Sequence, residues 1–293
     1  MLGIDKMKVQ EYVIKDVKDF ELRDIFDCGQ CFRWNIEDDG SYTGVIKYGV
    51  LNVRKDENDV YIKGVCDGDL KSLVDDYFDL NNDYSKIKKE LSKIDENMKM
   101  SVEYGKGIRI LNQDLWECII SFIISANNNI PRIKGIIERI SKKCGKRVEF
   151  EGKDYYLFPT VDELSTLTVK DLRDLGLGFR DKRVHKTCEI IKSGIVSLEE
   201  LESLDDSDII REELLKLDGV GEKVADCISL FSLKRYDVFP VDVWVRRVMN
   251  DLYIKNEDET KVNKKEIRKV AYDLFGDKAG LAQQYLFYWR REN

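Results

Sequence analysis

The residues best suited to chemistry lie in two short stretches, LDGVGEKVADC at 217–227 and FPVDVW at 239–244. The first carries Lys223 just after Gly219 and Gly221; the second carries Asp242 two residues after Pro240. A neutral lysine amine is a nucleophile that forms a Schiff base with a sugar carbon. An ordinary lysine has a pKa of about 10.4, so on the order of one in a thousand is neutral at about pH 7.5. At a helix N-terminus beside an apolar wall, dipole and burial both disfavour the charge, so the sequence predicts a lowered pKa for Lys223. Asp242 is placed to cap the next helix. A capping aspartate stays ionised, and a carboxylate can stabilise a cationic sugar transition state. Either residue alone has a plain structural reading, surface charge or helix cap; the combination with the glycines is what singles them out.

Around the glycines, Leu214, Leu215 and Leu217 precede the turn, and Val224, Cys227, Ile228 and Phe231 follow it at helical spacing. The pattern predicts two helices joined by a hairpin at 217–223. Glycine permits positive φ and close packing, which would leave the amides of Val220 to Lys223 facing outward at a helix N-terminus. Such amides grip an anion; on nucleic acid they would hold a backbone phosphate and read no sequence. Gly219, Val220 and Gly221 are therefore candidate phosphate-binding residues.

Two regions position this hairpin. The first hundred residues contain FRWNI, SYTGVIKY, VLNVRK and DVYIKGV, separated by turn residues at 38–40, 48–49 and 56–59. These predict an antiparallel meander, followed by a charged helical stretch at about 69–96. Beyond it the pattern is helical. LWECIISFIISA (115–126) predicts a buried helix, and 131–145 predicts an amphipathic one with Ile133, Ile136, Ile137 and Ile140 on one face. Further helices are expected near 161–175, 181–193, 197–204 and 208–216, around the hairpin, and across 264–290. The fold class is thus α+β: an N-terminal antiparallel β domain with a helix over 1–98, then a larger all-α domain over 99–293.

The 293-residue chain is 36% charged with a net charge of −7, a soluble globular composition. Its charge is uneven. Residues 199–213 hold eight acids and one base, whereas 131–147 hold seven bases and one acid, and 180–192 hold five bases and two acids. Local surpluses of that kind can bind a polyanion in spite of the total, because exposed charges are screened beyond about 10 Å. No apolar run is long enough to span a bilayer and the start lacks a signal-peptide core, so a cytoplasmic protein with no membrane partner is expected. Seven scattered cysteines, at 28, 31, 66, 118, 144, 188 and 227, argue against a disulfide framework. Cys28 and Cys31 have C-x-x-C spacing, but the single histidine, His185, offers no metal partner and a strand follows where a redox motif needs a helix. Two small residues in a tight loop is the simpler reading, and no metal site is expected.

Taken in order, CGQCFRW (28–34), SANNNIPRI (125–133), LGLGFR (175–180), LDGVGEKVADC, FPVDV and AQQYLF (282–287) resemble the 8-oxoguanine DNA glycosylase/lyase family of helix–hairpin–helix glycosylases. The resemblance covers nearly the whole chain. It implies base-excision repair, in which Lys223 attacks C1′ of a damaged nucleotide and Asp242 stabilises the charge that develops. The Schiff base then permits β-elimination of the 3′ phosphate. Phe287 and Cys227 would sandwich the extruded base, Gln283 would bond its Watson–Crick edge, and the carbonyl of Gly29 would accept from N7–H, which 8-oxoguanine has and guanine lacks. Extrusion is required because C1′ cannot be reached within the stack. Asn127, Arg132 and Arg180 match residues that fill the gap and read the estranged cytosine. Phe179 stands where a tyrosine is frequent, keeping a wedge ring, and Trp244 where a histidine is common near a phosphate, leaving one neutral donor. No cysteine follows Cys227, so no iron–sulfur cluster is expected. The implied partner is double-stranded DNA with 8-oxoguanine opposite cytosine, bound by a monomer. No cofactor is required, although a monovalent or divalent cation could join the hairpin to phosphate. Heavy Lys, Ile and Asp usage with three prolines suggests an AT-rich bacterial genome. The alternatives are a helix–hairpin–helix glycosylase for another damaged base and a noncatalytic DNA-binding module.

Overall fold

A computed structural model describes residues 8–292; residues 1–7, part of the stretch read above for a targeting signal, lie outside it, as does residue 293. Its N-terminal sheet has five antiparallel strands, β1 (Val9–Ile14), β2 (Trp34–Ile36), β3 (Tyr42–Ile46), β4 (Gly49–Asp56) and β5 (Asp59–Cys66), in the order β1-β5-β4-β3-β2. Four follow the expected meander. The fifth, β1, is an addition: it pairs with β5 from Val9↔Val65 to Ile14↔Val60, a long-range contact that no local turn announces. Alternating residues Trp34, Tyr42, Leu51, Val53 and Ile62 turn one face onto Phe20, Phe26 and Phe78. Trp34 stacks on Phe26 at 4.1 Å, and its indole donates to Tyr77 Oη at 2.8 Å.

The charged stretch near 69–96 is not one helix. It divides into Leu70–Tyr77, Tyr84–Leu91 and Glu96–Tyr104, each opened by an aspartate (Asp69, Asp83, Asp95) whose carboxylate accepts from a first-turn amide. Met98 on the last of these is buried in the helical core together with Tyr84 and Leu91. Helix Leu115–Ser125 runs through that core, capped by Asp114, and Ile130–Cys144 buries the four isoleucines predicted for its inner face.

The region after residue 99 is not all helix either. β6 (Arg147–Phe150) and β7 (Lys153–Tyr156) form an antiparallel hairpin. Its turn, Glu151-Gly152, has φ of 49° and 75°, the paired positive values of a tight two-residue connection. Val148 and Phe150 pack on Val45, Val50 and Val65, so the hairpin ties the helical region to the sheet. The stretch 161–175 likewise splits into Val161–Leu164 and Val169–Asp174, each begun by a threonine capping box. The remaining helices fall near their expected places, at Asp181–Lys192, Leu198–Ser203, Ser207–Leu214, Glu222–Ser232 and Val243–Met249. Two more, Lys264–Phe275 and Ala279–Glu292, close the chain. Among the described residues no helix is long and apolar enough to cross a membrane.

Candidate active site and nucleic-acid interface

The hairpin joins Ser207–Leu214 to Glu222–Ser232, and its two glycines serve different ends. Gly219 has φ +89°, and a Cβ there would stand 3.0 Å from Arg183 Cδ and 3.1 Å from Ile123 Cγ2. Glycine is needed for both conformation and packing. Gly221 caps the helix with an ordinary φ of −101°, has no side-chain cap, and nothing lies within 4 Å of where its Cβ would be. That position is open to an approaching ligand. One expectation needs correction: the Val220 amide is not free, because it donates to Leu217 O at 3.2 Å and its side chain is buried. The outward amides therefore begin at Gly221. Beneath them Asp226, fully buried, accepts from Arg211 Nε at 2.7 Å and Arg268 Nη2 at 2.9 Å, pinning the helix to both neighbours.

Lys223 points from the first turn of this helix into a cavity also lined by Gly29, Phe122, Cys227, Pro240, Asp242, Gln283, Gln284 and Phe287. All six residues assigned to catalysis and base binding thus meet in one place. Asp242 caps Val243–Met249, its Oδ1 accepting from Val245 N at 2.8 Å, as its position after Pro240 predicts. Lys223 Nζ lies 5.4 Å from the Phe122 ring centroid, a wall the sequence reading did not assign. The lowered lysine pKa is not found. Burial is the largest single influence and pulls it down, but Cys227 and Asp242 outweigh it, and the amine sits above its ordinary value. Burial pushes the neighbouring Cys227 thiol up to about 11, against the opposing pull of Lys223.

Gly29 has φ +90°, and a Cβ there would stand 3.3 Å from Phe287 Cε1. Gln283 is buried, and its Oε1 has no hydrogen-bond partner. The cavity is about 40 Å³, room for on the order of three waters at most, so a purine enters only after Phe287 and its neighbours move. The loop under Gly29 is held by Gln30, whose Nε2 donates to Ile25 O at 2.9 Å and Arg109 O at 2.8 Å, while its Oε1 accepts from Leu111 N at 2.9 Å. Cys28 and Cys31 are buried thiols facing the carbonyls of Ile25 and Phe26, and burial pushes Cys28 up to about 12. Neither has the exposed thiolate that redox or metal chemistry needs.

A second group lies around Phe179, which is 56% exposed on the 3₁₀ turn Gly178–Arg180. Arg180 stacks on one side, its Cζ 4.3 Å from the ring centroid, and Arg183 lies at 5.3 Å. Arg180 differs from the free reader expected of it. It is 2% exposed, with donors on Ala126 O, Leu177 O and Asn127 O, the last at 2.8 Å. What it holds is Asn127, a left-handed residue at φ +51°. Arg132 is exposed in the first turn of Ile130–Cys144. Trp244 is 41% exposed, with Arg247 Cζ 5.4 Å from its ring. Arg183 was not singled out from the sequence, where it was one base in a basic run; its stem against Gly219 joins the wedge to the hairpin.

Residues 120–272 match the helix–hairpin–helix superfamily of base-excision DNA repair proteins, the class this hairpin, lysine and aspartate define. Residues 12–119 match the N-terminal domain of 8-oxoguanine DNA glycosylase. The chain belongs to the 8-oxoguanine DNA glycosylase/lyase family. It is similar to the 8-oxoguanine glycosylase/lyase of Clostridium acetobutylicum, solved with double-stranded DNA containing cytosine opposite 8-oxoguanine. That likeness is 46% identity over 99% of both chains with a TM-score of 0.91. It is 32% identical to the N-glycosylase/DNA lyase of Saccharomyces cerevisiae, over 91% of this chain and 82% of the yeast protein. A probable N-glycosylase/DNA lyase of Methanothermobacter thermautotrophicus is 31% identical over 82% of this chain and 78% of its own.

Proposed function

We propose that the protein removes 8-oxoguanine from duplex DNA, opposite cytosine, through a covalent lysine intermediate, and then cleaves the strand by β-elimination. The observation that carries this reading is one cavity lined together by Gly29, Cys227, Gln283, Phe287, Lys223 and Asp242. The base stacks between Phe287 and Cys227, and Gln283 offers its unpartnered Oε1 to the Watson–Crick edge. The Gly29 carbonyl accepts from N7–H; facing guanine it would meet a bare acceptor, a difference of a few kcal/mol on general grounds (~1–3 for one buried unpaired group).

Lys223, an ammonium at rest, gives up a proton and its nitrogen bonds to C1′ as the C1′–N9 bond breaks. The base leaves with the electron pair and takes up a proton. Asp242 stabilises the positive charge on the sugar in between. Ring opening, with a proton to O4′, gives the Schiff base. Loss of a C2′ proton then expels the 3′ phosphate, and water hydrolyses the C=N bond to restore Lys223. Every step uses side chains and water, so no cofactor is called for.

On the DNA, Phe179 wedges into the stack, Asn127 fills the gap, and exposed Arg132 donates to the estranged cytosine. Arg180 sets Asn127 and acts on cytosine through it. The outward amides at Gly221 take a backbone phosphate, with Gly219 and Val220 shaping the turn and Trp244 giving one indole donor nearby. Exchange of potassium for a bulky organic cation separates direct phosphate contact from a cation bridge, since only the bridge loses affinity. The protein acts as a monomer in the compartment that holds the chromosome.

Borohydride trapping tests the reading on a duplex with one 8-oxoguanine opposite cytosine, an undamaged control and Lys223→Gln. A covalent band with damaged DNA and the unaltered protein alone is the expected result. Base release with no band would make Lys223 structural and the enzyme water-using, and an untouched lesion would overturn the assignment of Gly29.

A further inference from the structure

The Gly29 carbonyl can discriminate only if it is held still. A peptide free to rotate would turn its oxygen from a bare N7 and lose the repulsion on which selectivity rests. What holds it comes from the far end of the chain. Helix Ala279–Glu292 ties down the loop at two points: Gln284 Nε2 donates to Cys28 O at 2.9 Å, and Arg291 Nη2 donates to Asp27 O at 2.5 Å.

Arg291 does more than tie the loop. Its guanidinium carbon lies 5.6 Å from the ring centroids of both Phe287 and Tyr288. Its Nη1 is buried with no hydrogen-bond partner and lies against Gly29, where an added Cβ would stand 3.0 Å away. Glu292 holds the same group through Nε at 3.0 Å. Gly29, at φ +90°, is therefore closed in by the Phe287 ring and the Arg291 fork together. The flat guanidinium covers the ring while its edge donates to the loop, a pairing that a lysine head cannot reproduce.

Resting on the role given to Gly29 above, we propose that Arg291 is a positioning residue for lesion selectivity. It couples the loop that carries the N7-reading carbonyl to the ring that stacks on the base. Neither surface can then adapt to guanine without moving the other.

The test uses the full-length Lys223→Gln protein, which halts chemistry, with and without Arg291→Met, which keeps the stem and removes the fork. Dissociation constants are measured for 8-oxoguanine:cytosine, guanine:cytosine and abasic-analogue duplexes of one sequence. The guanine-to-lesion ratio should fall about tenfold in the Arg291→Met protein, the size of one charged hydrogen bond, with abasic affinity held within about twofold. Arg291→Lys should lose a smaller part of the ratio. An unchanged ratio overturns the proposal. So does an equal loss on all three duplexes, which would make Arg291 merely structural. A parent protein that binds lesion and guanine duplexes alike overturns the Gly29 reading, and this inference with it.

Discussion

Replacing each hairpin glycine by alanine separates folding from ligand access. At Gly219, φ +89° costs a side chain about 1–2 kcal/mol. The new methyl would also press on Ile123 at 3.1 Å and Arg183 Cδ at 3.0 Å. The arginine stem can yield, but Ile123 is fully buried in helix Leu115–Ser125, so overpacking adds about 1 kcal/mol or more. Gly219→Ala should therefore lose about 2–3 kcal/mol, a melting shift of roughly 3–5 °C for a chain of this size. At Gly221 the backbone is ordinary and the space empty. The entropic gain of about 0.4–1 kcal/mol on leaving glycine is offset by alanine's poor N-cap preference, so stability should stay within about 0.5 kcal/mol. Its methyl would project where a phosphate must come, and affinity for an abasic-analogue duplex should fall about tenfold. Urea unfolding and fluorescence anisotropy at fixed salt measure the two effects. A Gly221→Ala protein that unfolds early but binds DNA normally would refute the assignment, as would a Gly219→Ala protein of full stability.

Three other substitutions or conditions probe the site. Phe179→Ala removes a ring that is 56% exposed, so unfolding should change by less than about 0.5 kcal/mol. Single-turnover excision should nevertheless fall about tenfold or more on duplex substrate, because extrusion loses its wedge; equal loss on an already unstacked, mismatched lesion would contradict that role. Lys223 sits above its ordinary pKa, with burial outweighed by Cys227 and Asp242, so the neutral amine is scarce and trapping should climb about tenfold per pH unit from about pH 6 to about pH 9. A plateau in that range would mean that the charge is disfavoured after all. Glu117 is pushed up to about 7, first by burial, with Arg33 at 3.8 Å opposing and Asp114, itself paired to Lys47 at 2.7 Å, adding. The folded carboxyl holds its proton more tightly than the unfolded one, so stability should decline from about pH 4.5 to about pH 7, by on the order of 3 kcal/mol. Glu117→Gln should flatten that decline, and an unaltered pH profile of unfolding would count against it.

Much of this was legible because it is local. The meander strands are separated by turn residues, the isoleucine face of Ile130–Cys144 repeats at helical spacing, and Asp242 follows a proline at a helix start. What escaped depends on partners distant in sequence. β1 is defined by β5, and the β6–β7 hairpin by the outer face of a sheet it docks on. Arg180 is expected from the resemblance to read cytosine, and nothing in LGLGFR tells that its donors end on the carbonyls of Ala126 and Asn127. The lysine pKa failed for a related reason. Burial and dipole can be read from a helix start, but whether Cys227 one turn on and Asp242 on the next helix outweigh them is settled only by the folded packing.

That failed expectation changes how the site must work. A lysine already neutral in the resting protein would be reactive toward any sugar that came near. Here it is held as an ammonium beside a carboxylate, at the floor of a cavity of about 40 Å³ that a purine cannot enter. Two conditions then precede bond formation on the proposed mechanism: Phe287 must leave Gly29 to admit a base, and Lys223 must shed a proton. The first draws on the binding energy of the inserted base, since the stacking ring and the N7-reading loop are rewarded only when the right base lies between them. A guanine that reached the same place would open the pocket and meet an unpaired acceptor, so the opening cost would go unrecovered. On this mechanism the closed state lowers occupancy by either base alike, and the hydrogen bond to N7 sets the ratio between them. Substitutions that ease the opening of Phe287 alone should raise binding of both bases and leave their ratio unchanged.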